Sequence, residues 1–222
     1  MLSYGDIAGM IDHALLKPNL TDEDIIRGCR VADFHGVAAV CVRPGDVRLA
    51  AEILKNSKVL VTTVIGFPHG TTTTRCKVAE AEEAISHGAK ELDMVINIGK
   101  MKSGAYDYVK EDVKAVVEAA HRHQVRVKVI FENFYLSDEE KIKVCQIVNE
   151  TGADFAKTST GFAPGGAEED DVILMRKYCL PHVQIKAAGG IKRLAQAIRF
   201  RELGCSRLGC SVTAAILNEL KE

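Results

Sequence analysis

Three ionisable side chains interrupt stretches of sequence that are otherwise typical of buried strands. Asp93, Lys157 and Lys186 each lie inside an apolar or β-branched run, at 91–97, 155–159 and 183–188 respectively. Lys and Asp side chains are almost never buried alone, because removing an isolated charge from water is costly. We therefore expect the three residues to meet, either as a structural ion pair between strands or as a reactive site.

The excess of lysine over acid favours chemistry. A lysine beside a second cation in a partly dry site has its pKa lowered below the usual value of about 10.4, by desolvation and by like-charge repulsion. The neutral amine can attack a carbonyl and form a Schiff base, which is an electron sink for adjacent carbon–carbon bonds. Asp93 and the second lysine could then pass protons.

Three further side chains are candidates for the wall of the same site. Glu132 ends the fifth predicted strand and Asp12 lies near the end of the first, and we interpret each as a partner that holds a lysine. We interpret Cys41 as a small buried residue whose thiol borders the pocket. The histidines are dispersed, and His121 and His123 have no acidic ligand at matching spacing, so we predict neither a metal nor another cofactor.

The elements that must position these residues alternate along the chain. Thr21 and Ser137 each open an acidic stretch typical of a helix start, and Gly152 is typical of a helix end. Apolar runs rich in β-branched residues predict eight strands, at 11–16, 37–42, 59–65, 91–97, 125–132, 154–159, 182–187 and 206–209.

Regular alternation of strand and helix predicts βαβ units and a parallel sheet, because parallel strands need crossover connections. Eight units in 222 residues average about 28 residues each, which favours a closed barrel over an open doubly wound sheet. The two common nucleotide motifs, GxGxxG after the first strand and the P-loop, are missing. We predict an α/β fold, a single (β/α)8 TIM barrel that forms one domain over residues 1–222.

Glycine-rich turns after the last two predicted strands indicate a phosphate site. Gly189 and Gly190 follow the seventh strand, and Gly209 and Ser211 follow the eighth. In (β/α)8 barrels these two loops and a helix N-terminus commonly bind phosphate, because backbone N–H groups converge there. Paired glycines also occur in plain turns, so the signal is weaker than that of the lysines. Gly161, directly after the strand that carries Lys157, would form a third side of this phosphate site.

Composition excludes several classes of protein. The chain is 47% hydrophobic and 27% charged, which excludes disordered and collagen-like sequence. Its 29 Lys and Arg against 30 Asp and Glu give a formal net charge of −1, so no overall field favours nucleic acid or an anionic membrane. No apolar window approaches the roughly 18 residues of a membrane span. Seven scattered cysteines fit reduced thiols and a cytoplasmic location.

The motifs resemble those of the deoxyribose-phosphate aldolases. The resemblance rests on IDHALLKP at 11–18, VCV at 40–42, VIGFP at 64–68, ELDMVINIG at 91–99, KVI at 128–130, FAKTSTGF at 155–162, KAAGGI at 186–191 and RLG at 207–209. It implies a metal-independent class I aldolase that reversibly cleaves 2-deoxy-D-ribose 5-phosphate to D-glyceraldehyde 3-phosphate and acetaldehyde. It also implies Lys157 as the Schiff-base lysine, with Lys186 and Asp93 as the pair that transfers protons and tunes it. For such a protein we expect a homo-oligomer, either a dimer or a tetramer.

Some positions depart from the usual pattern of that family. Ala14 stands where a Thr commonly follows Asp-His, and Val212 stands where a second adjacent serine is common. The exact substrate is therefore less determined than the reaction class, and Lys192 or Arg193 could compensate for the missing hydroxyl. One alternative is a related lysine-dependent barrel acting on a different aldehyde or ketose, either phosphorylated or unphosphorylated. A binding barrel without activity would have little reason to keep both lysines and Asp93.

Overall fold

Parallel strands form a closed barrel at the centre of the molecule. The computed structural model describes residues 3–220, and in that range eight strands pair in sequence order, with β8 returning to β1. The predicted (β/α)8 barrel is confirmed, although residues 1, 2, 221 and 222 of the predicted domain lie outside the described range. The strands are β1 (Ile11–Leu15), β2 (Ala39–Val42), β3 (Leu60–Ile65), β4 (Glu91–Val95), β5 (Arg126–Ile130), β6 (Phe155–Lys157), β7 (Gln184–Ala188) and β8 (Cys205–Cys210).

A helix follows every strand and packs on the outside of the barrel. None of the helices in residues 3–220 is long and apolar enough to cross a membrane. Two short 3-10 helices, Pro44–Asp46 and Asn133–Tyr135, lie in loops after β2 and β5. The α-helices are α1 (Tyr4–Ala8), α2 (Asp22–His35), α3 (Val47–Ile53), α4 (Thr74–Ser86), α5 (Ile98–Lys102), α6 (Tyr106–His121), α7 (Asp138–Thr151), α8 (Glu169–Tyr178), α9 (Leu194–Glu202) and α10 (Thr213–Asn218).

The predicted helix signals act as capping groups. The Thr21 hydroxyl accepts a hydrogen bond from the backbone N–H of Asp24, whose carboxylate binds back to the N–H of Thr21. Ser137 and Glu140 form the same reciprocal pair at the start of α7. Gly152 ends α7 in the left-handed region at φ 73°. These caps satisfy backbone groups that have no partner within the helix, and they set where each crossover begins and ends.

Three predicted strands end two residues earlier than expected, and the first of them, β4, ends at Val95 rather than at residue 97. β5 ends at Ile130 and β6 at Lys157, whereas the apolar pattern continued to Glu132 and Ser159. Glu132 therefore does not end the fifth strand: it lies beyond it, with a left-handed φ of 55°. The reason is that the segments after these strands stay buried as they leave the sheet, and burial maintains the apolar pattern after strand pairing has stopped.

The barrel interior differs from the layer between strands and helices. That outer layer is apolar, with side chains such as Ile25, Val116 and Val148 fully buried. Inside the barrel, seven charged residues of the described range lie together, each at most 7% exposed. We call them the interior charge cluster, which comprises Asp12, Glu91, Asp93, Lys128, Lys157, Lys186 and Arg207.

Two glycines in the same backbone conformation provide a test of this packing. Gly36 and Gly70 have φ values of 62° and 68°, but a Cβ on Gly70 would lie 1.8 Å from the carbonyl oxygen of Ile96, while one on Gly36 would meet nothing within 4 Å. We expect Gly36→Ala to cost about 1 kcal/mol of unfolding free energy from backbone strain. Gly70→Ala should cost at least about 2 kcal/mol more, because the β3–α4 loop must move away from β4. Urea unfolding of both variants measures the difference, and equal losses would contradict the close approach.

Candidate active site

The three residues predicted to meet do so inside the barrel. Lys157 is the last residue of β6, and Lys186 and Asp93 lie in the middle of β7 and β4. The Nζ atoms of Lys157 and Lys186 are each 2.7 Å from the same atom, Oδ2 of Asp93. Strand register places Lys157 beside Lys186, so the closed barrel directs both side chains towards the opposite strand that carries Asp93.

Four more charged residues surround this trio. Lys186 also donates to the carboxylate of Asp12, and Asp12 accepts from Arg207 at 2.5 Å. The guanidinium of Arg207 donates to both carboxylate oxygens of Glu91, at 2.8 and 2.9 Å. Lys128 lies between Glu91 and Asp93, with its Nζ 2.6 and 2.8 Å from their oxygens. The prediction that Asp12 partners a lysine therefore matches the observed contacts.

Sequence reasoning missed Glu91, Lys128 and Arg207. The signal was present, because Lys128 stands between Val127 and Val129 in a strand as apolar as those of the other lysines. Glu91 begins β4 and Arg207 lies within β8. Position in a buried strand reveals that a charge needs a partner, and only the closed barrel reveals which strands supply it.

Counting charges in the cluster indicates which group gives up a proton. In the described part of the chain the cluster has three carboxylates and four basic groups, and only Arg126, which is 40% exposed, adds a further cation at its edge. Arg207 stays charged at any ordinary pH. With three carboxylates ionised in a medium of low dielectric constant, a neutral interior holds three cations. One lysine is therefore the group that most readily becomes a neutral amine.

Electrostatics single out Lys157 as that group. Burial lowers the pKa of Lys157, and the nearby ammonium of Lys186 lowers it further, against the opposing effect of Asp93. Burial also disfavours the charged form of Lys186, but the carboxylates of Asp12 and Asp93 outweigh it and raise the pKa of Lys186. Burial would raise the pKa of Asp93, yet three lysines hold it well below its ordinary value. The site thus pairs a potential amine nucleophile with a persistent ammonium and a persistent carboxylate.

A cavity of about 360 Å³ opens above the lysines at the carboxyl ends of the strands. Lys157 and Lys186 form its floor, whereas Asp93 lies below them and does not line it. Cys41 borders it as a buried thiol, and burial raises the pKa of Cys41 to about 11. Most of the predicted site residues line this cavity, namely Asp12, Cys41, Lys157, Gly161, Lys186, Gly189, Gly190, Gly209 and Ser211.

Glu132 has a different partner from the one expected. Its carboxylate accepts from the backbone N–H of Thr160 at 3.3 Å and from the Thr160 hydroxyl. The prediction that Glu132 holds a lysine is therefore wrong, because its left-handed backbone directs the side chain to the loop after β6. Burial raises the pKa of Glu132, opposed by the Thr160 hydrogen bonds. Glu132 lines a neighbouring cavity, so its contact with the central one is indirect, through Thr160.

The mouth of the cavity consists largely of backbone. Gly209 lies within β8 rather than after it as predicted, and a Cβ there would lie 2.9 Å from that of Ala188. A Cβ on Gly189, in the loop after β7, would lie 3.0 Å from the Cα of Gly166, so both positions are packed too closely for side chains. Gly189 also has φ 90°, which disfavours other residues. Exposed N–H groups at such turns suit an anion.

Charged side chains complete this rim. Lys192 lines the cavity, and so does Lys17, which sequence reasoning did not single out. Arg193 does not line the cavity and instead pairs with Glu219 at 2.6 Å. Of the two residues expected to compensate for Val212, Lys192 alone is therefore in position.

Comparison with other proteins identifies the family. Residues 7–209, which include all of β1 to β7, match the DeoC/LacD family of aldolases. The chain belongs to this family. The resemblance seen in the motifs is thereby confirmed, and the buried lysines and Asp93 lie in an aldolase barrel.

Individual proteins of this family match the chain over nearly its whole length. The chain is 52% identical over 221 residues to a deoxyribose-phosphate aldolase of Caldanaerobacter subterraneus subsp. tengcongensis, covering 99% of this chain and 96% of that protein. It is 54% identical over 208 residues to one of Thermococcus gammatolerans, covering 93% and 92%. The tetrameric deoxyribose phosphate aldolase of Aeropyrum pernix superposes with a TM-score of 0.93 at 29% identity, covering 99% and 93%. The aldolase QR15 superposes equally well at 42% identity, covering 97% and 96%.

Proposed function

We propose that this aldolase reversibly cleaves 2-deoxy-D-ribose 5-phosphate to D-glyceraldehyde 3-phosphate and acetaldehyde through a Schiff base on Lys157. The observation that supports this most is the shared contact of Lys157 and Lys186 with one oxygen of Asp93, at the floor of a cavity with a glycine-lined mouth. The names of the relatives supply the substrate. The site supplies the nucleophile and the proton carriers.

The chemistry begins with the neutral amine of Lys157. The amine adds to the C1 aldehyde of the open-chain sugar and water leaves, which gives an iminium ion. Lys186, left neutral once it has given its proton to the leaving water, takes the C3 hydroxyl proton; the C2–C3 bond breaks, and its electron pair moves into the iminium to form an enamine. D-glyceraldehyde 3-phosphate leaves, C2 of the enamine takes up a proton, and water hydrolyses the new iminium to release acetaldehyde and free Lys157.

Lys186 and Asp93 divide the proton transfer between them. Lys186 borders the cavity, so its ammonium can meet a developing alkoxide or give a proton to leaving water. Asp93 does not reach the cavity and acts on the substrate only through the two lysines that it binds. In this scheme Lys186 is the catalytic proton carrier and Asp93 positions both lysines.

The size and charge of the cavity fit a phosphorylated sugar that spans from floor to mouth. Lys157 lines the same cavity as the glycine turn after β7, Gly209 of β8, Ser211 and Lys192, so a sugar bound through C1 to Lys157 would extend its phosphate towards them. Exposed backbone N–H groups and a nearby ammonium are the usual partners of phosphate. We propose that Gly189, Gly190 and Gly209 approach the phosphate, with Gly161 across the cavity.

We also propose that the chain assembles as a homo-oligomer and works in the cytoplasm. The relative from Aeropyrum pernix is a tetramer, and Phe34 is 82% exposed on α2 here. The free thiols of all seven cysteines fit a reducing compartment. We propose one catalytic domain per chain, which each copy would bring to the assembly.

Trapping identifies the covalent lysine. Borohydride with acetaldehyde should reduce the iminium and add one ethyl group to Lys157, located by peptide mass spectrometry, because among the lysines of residues 3–220 Lys157 alone combines a lowered pKa with access to the cavity. Lys157→Met should lose the adduct, and omission of acetaldehyde is the control for unspecific reduction. An adduct on Lys186 would reverse the two roles, and the absence of any adduct would refute the class I mechanism.

Loss of the proton carrier Lys186 or of the positioning carboxylate of Asp93 should reduce turnover strongly. We expect Lys186→Leu and Asp93→Asn each to lower kcat at least about a hundredfold, the lower range of general acid–base effects. Both residues are buried in ion pairs, so each variant should also lose about 3 to 5 kcal/mol of unfolding free energy. Activity is therefore measured where circular dichroism finds the variant folded. A folded variant with nearly full activity would restrict its residue to a structural ion pair, and exhaustive chelation should leave the wild type active.

Val212 tests the recognition of phosphate. Its side chain is 37% exposed at the cavity mouth and offers no donor. A hydrogen bond to a charged group contributes about 1.5 to 3 kcal/mol, so Val212→Ser should lower KM for 2-deoxyribose 5-phosphate about tenfold. KM for 2-deoxyribose should stay nearly unchanged, and Val212→Ala controls for lost bulk. Equal changes in KM for both sugars would show that residue 212 does not contact the phosphate. A wild-type preference for 2-deoxyribose would favour the alternative, an aldolase for unphosphorylated substrates.

A further inference from the structure

The two oxygens of Asp93 have different partners. Oδ2 faces the cavity side, where Lys157 and Lys186 each donate to it at 2.7 Å. Oδ1 faces the opposite way, where Lys128 donates to it at 2.8 Å and the Thr62 hydroxyl approaches at 3.3 Å. One carboxylate thus joins two lysines of the proposed reaction to a third lysine that does not line the cavity.

We propose that Lys128 is a positioning residue that sets the working pH of Lys157 through Asp93. The proposal rests on the proposed function, in that it assigns Lys157 as the nucleophile. Lys128 binds one oxygen of Asp93 and so limits how much of the carboxylate's negative charge acts on the two lysines above. Without Lys128, the full charge of Asp93 would stabilise the ammonium form of Lys157.

The position of Lys128 in the barrel favours its contact with Asp93. It is fully buried in β5, and strand register places it directly beside Asp93 of β4. Its ammonium also donates to the carboxylate of Glu91 at 2.6 Å. This second contact helps to hold the ammonium beside Asp93. The aromatic ring of Phe155 lies 5.6 Å away on its other side and excludes water.

Every strand around Asp93 contributes a group that could affect its charge. The facing groups, from β1 to β8, are Asp12, Cys41, Thr62, Glu91, Lys128, Lys157, Lys186 and Arg207. Asp12 and Glu91 are anions already bound by Arg207, and burial raises the pKa of Cys41, so its thiol stays neutral at pH 7. Of the cations, Lys128 alone binds Asp93 through Oδ1. Its removal is therefore not replaced by another group in the described cluster.

The sign of the effect follows from the contacts. Loss of the Lys128 charge leaves Lys157 and Lys186 as the cations bound to Asp93, which favours the protonated form of both and raises the pKa of Lys157. A smaller fraction of Lys157 is then neutral at pH 7. The acidic limb of the pH–rate profile should move to higher pH, while KM changes little because Lys128 does not touch substrate.

The experiment compares three variants. Lys128→Met removes the cation, and Glu91→Gln with Lys128→Met removes one anion as well and restores the overall charge of the cluster. Lys77→Met is the matched control, because Lys77 is equally buried and pairs with Asp112 at 2.5 Å outside the barrel interior. Two readouts are measured across pH, namely cleavage of 2-deoxyribose 5-phosphate and acylation of Lys157 by acetic anhydride, which reports the pKa of its amine without any substrate.

We expect Lys128→Met to turn over at least about tenfold more slowly at pH 7 and to recover towards the wild-type rate as pH rises. Lys157 acylation should move to higher pH in parallel, and Lys77→Met should change neither profile. The double variant should regain stability yet keep the shifted profiles, because Oδ1 of Asp93 still lacks its cation. It also provides the test if Lys128→Met alone does not fold.

Two results would overturn the proposal. An unshifted acylation profile in either folded Lys128 variant would mean that Lys128 does not control Lys157. Return of the double variant to the wild-type profiles would mean that the cluster responds only to total charge. A wild type inactive on 2-deoxyribose 5-phosphate would instead refute the proposed substrate, and the acylation profiles would still decide the role of Lys128.

Discussion

The barrel interior encloses more basic groups than acidic groups, and water cannot screen the charges there. The rest of the structure depends on how these buried cations are compensated. Asp93 binds three lysines, and each of the three is itself at most 3% exposed. A single buried carboxylate cannot fully compensate three ammonium ions, so Asp12 and Glu91 share the compensation and one lysine is left poorly stabilised. Lys157 is that lysine because, among the described residues, Asp93 is its one ion-pair partner, whereas Lys128 also pairs with Glu91 and Lys186 also pairs with Asp12.

A closed barrel is well suited to maintaining such an arrangement. An open sheet would expose some of these side chains at an edge, where water would weaken the interactions between charges. Here β1, β4, β5, β6, β7 and β8 each contribute to the cluster, and Arg207 joins β8 to carboxylates on β1 and β4. The same ion pairs that hold strands together therefore set the proton affinity of the amine. A substitution in the cluster changes stability and reactivity together, and the two effects must be measured separately.

The sequence was sufficient for the barrel and for the central trio, and the reasons are physical. Strand and helix periods alternate clearly, and a charged residue in a buried strand such as Lys157 must find a partner. Partners on other strands, such as Lys128 on the neighbouring strand and Arg207 across the barrel, depend on the order and closure of the strands rather than on local pattern. The partner of Glu132 was wrongly predicted because the buried segment after β5 continues the apolar pattern, which conceals the left-handed turn at Glu132.

A mutation at the floor of the cavity has different consequences from a mutation at its mouth. At the floor, strand register holds charged side chains in fixed positions. Replacing one of them therefore changes the electrostatic environment of all its neighbours. The proposed phosphate site at the mouth relies mainly on backbone N–H groups at Gly189 and Gly190, which do not depend on the identity of nearby side chains. Val212 in place of a hydroxyl therefore removes one contact without dismantling the proposed phosphate site. Reaction type and substrate preference can vary separately in this barrel, because one is fixed by buried charge and the other is adjusted at an exposed rim.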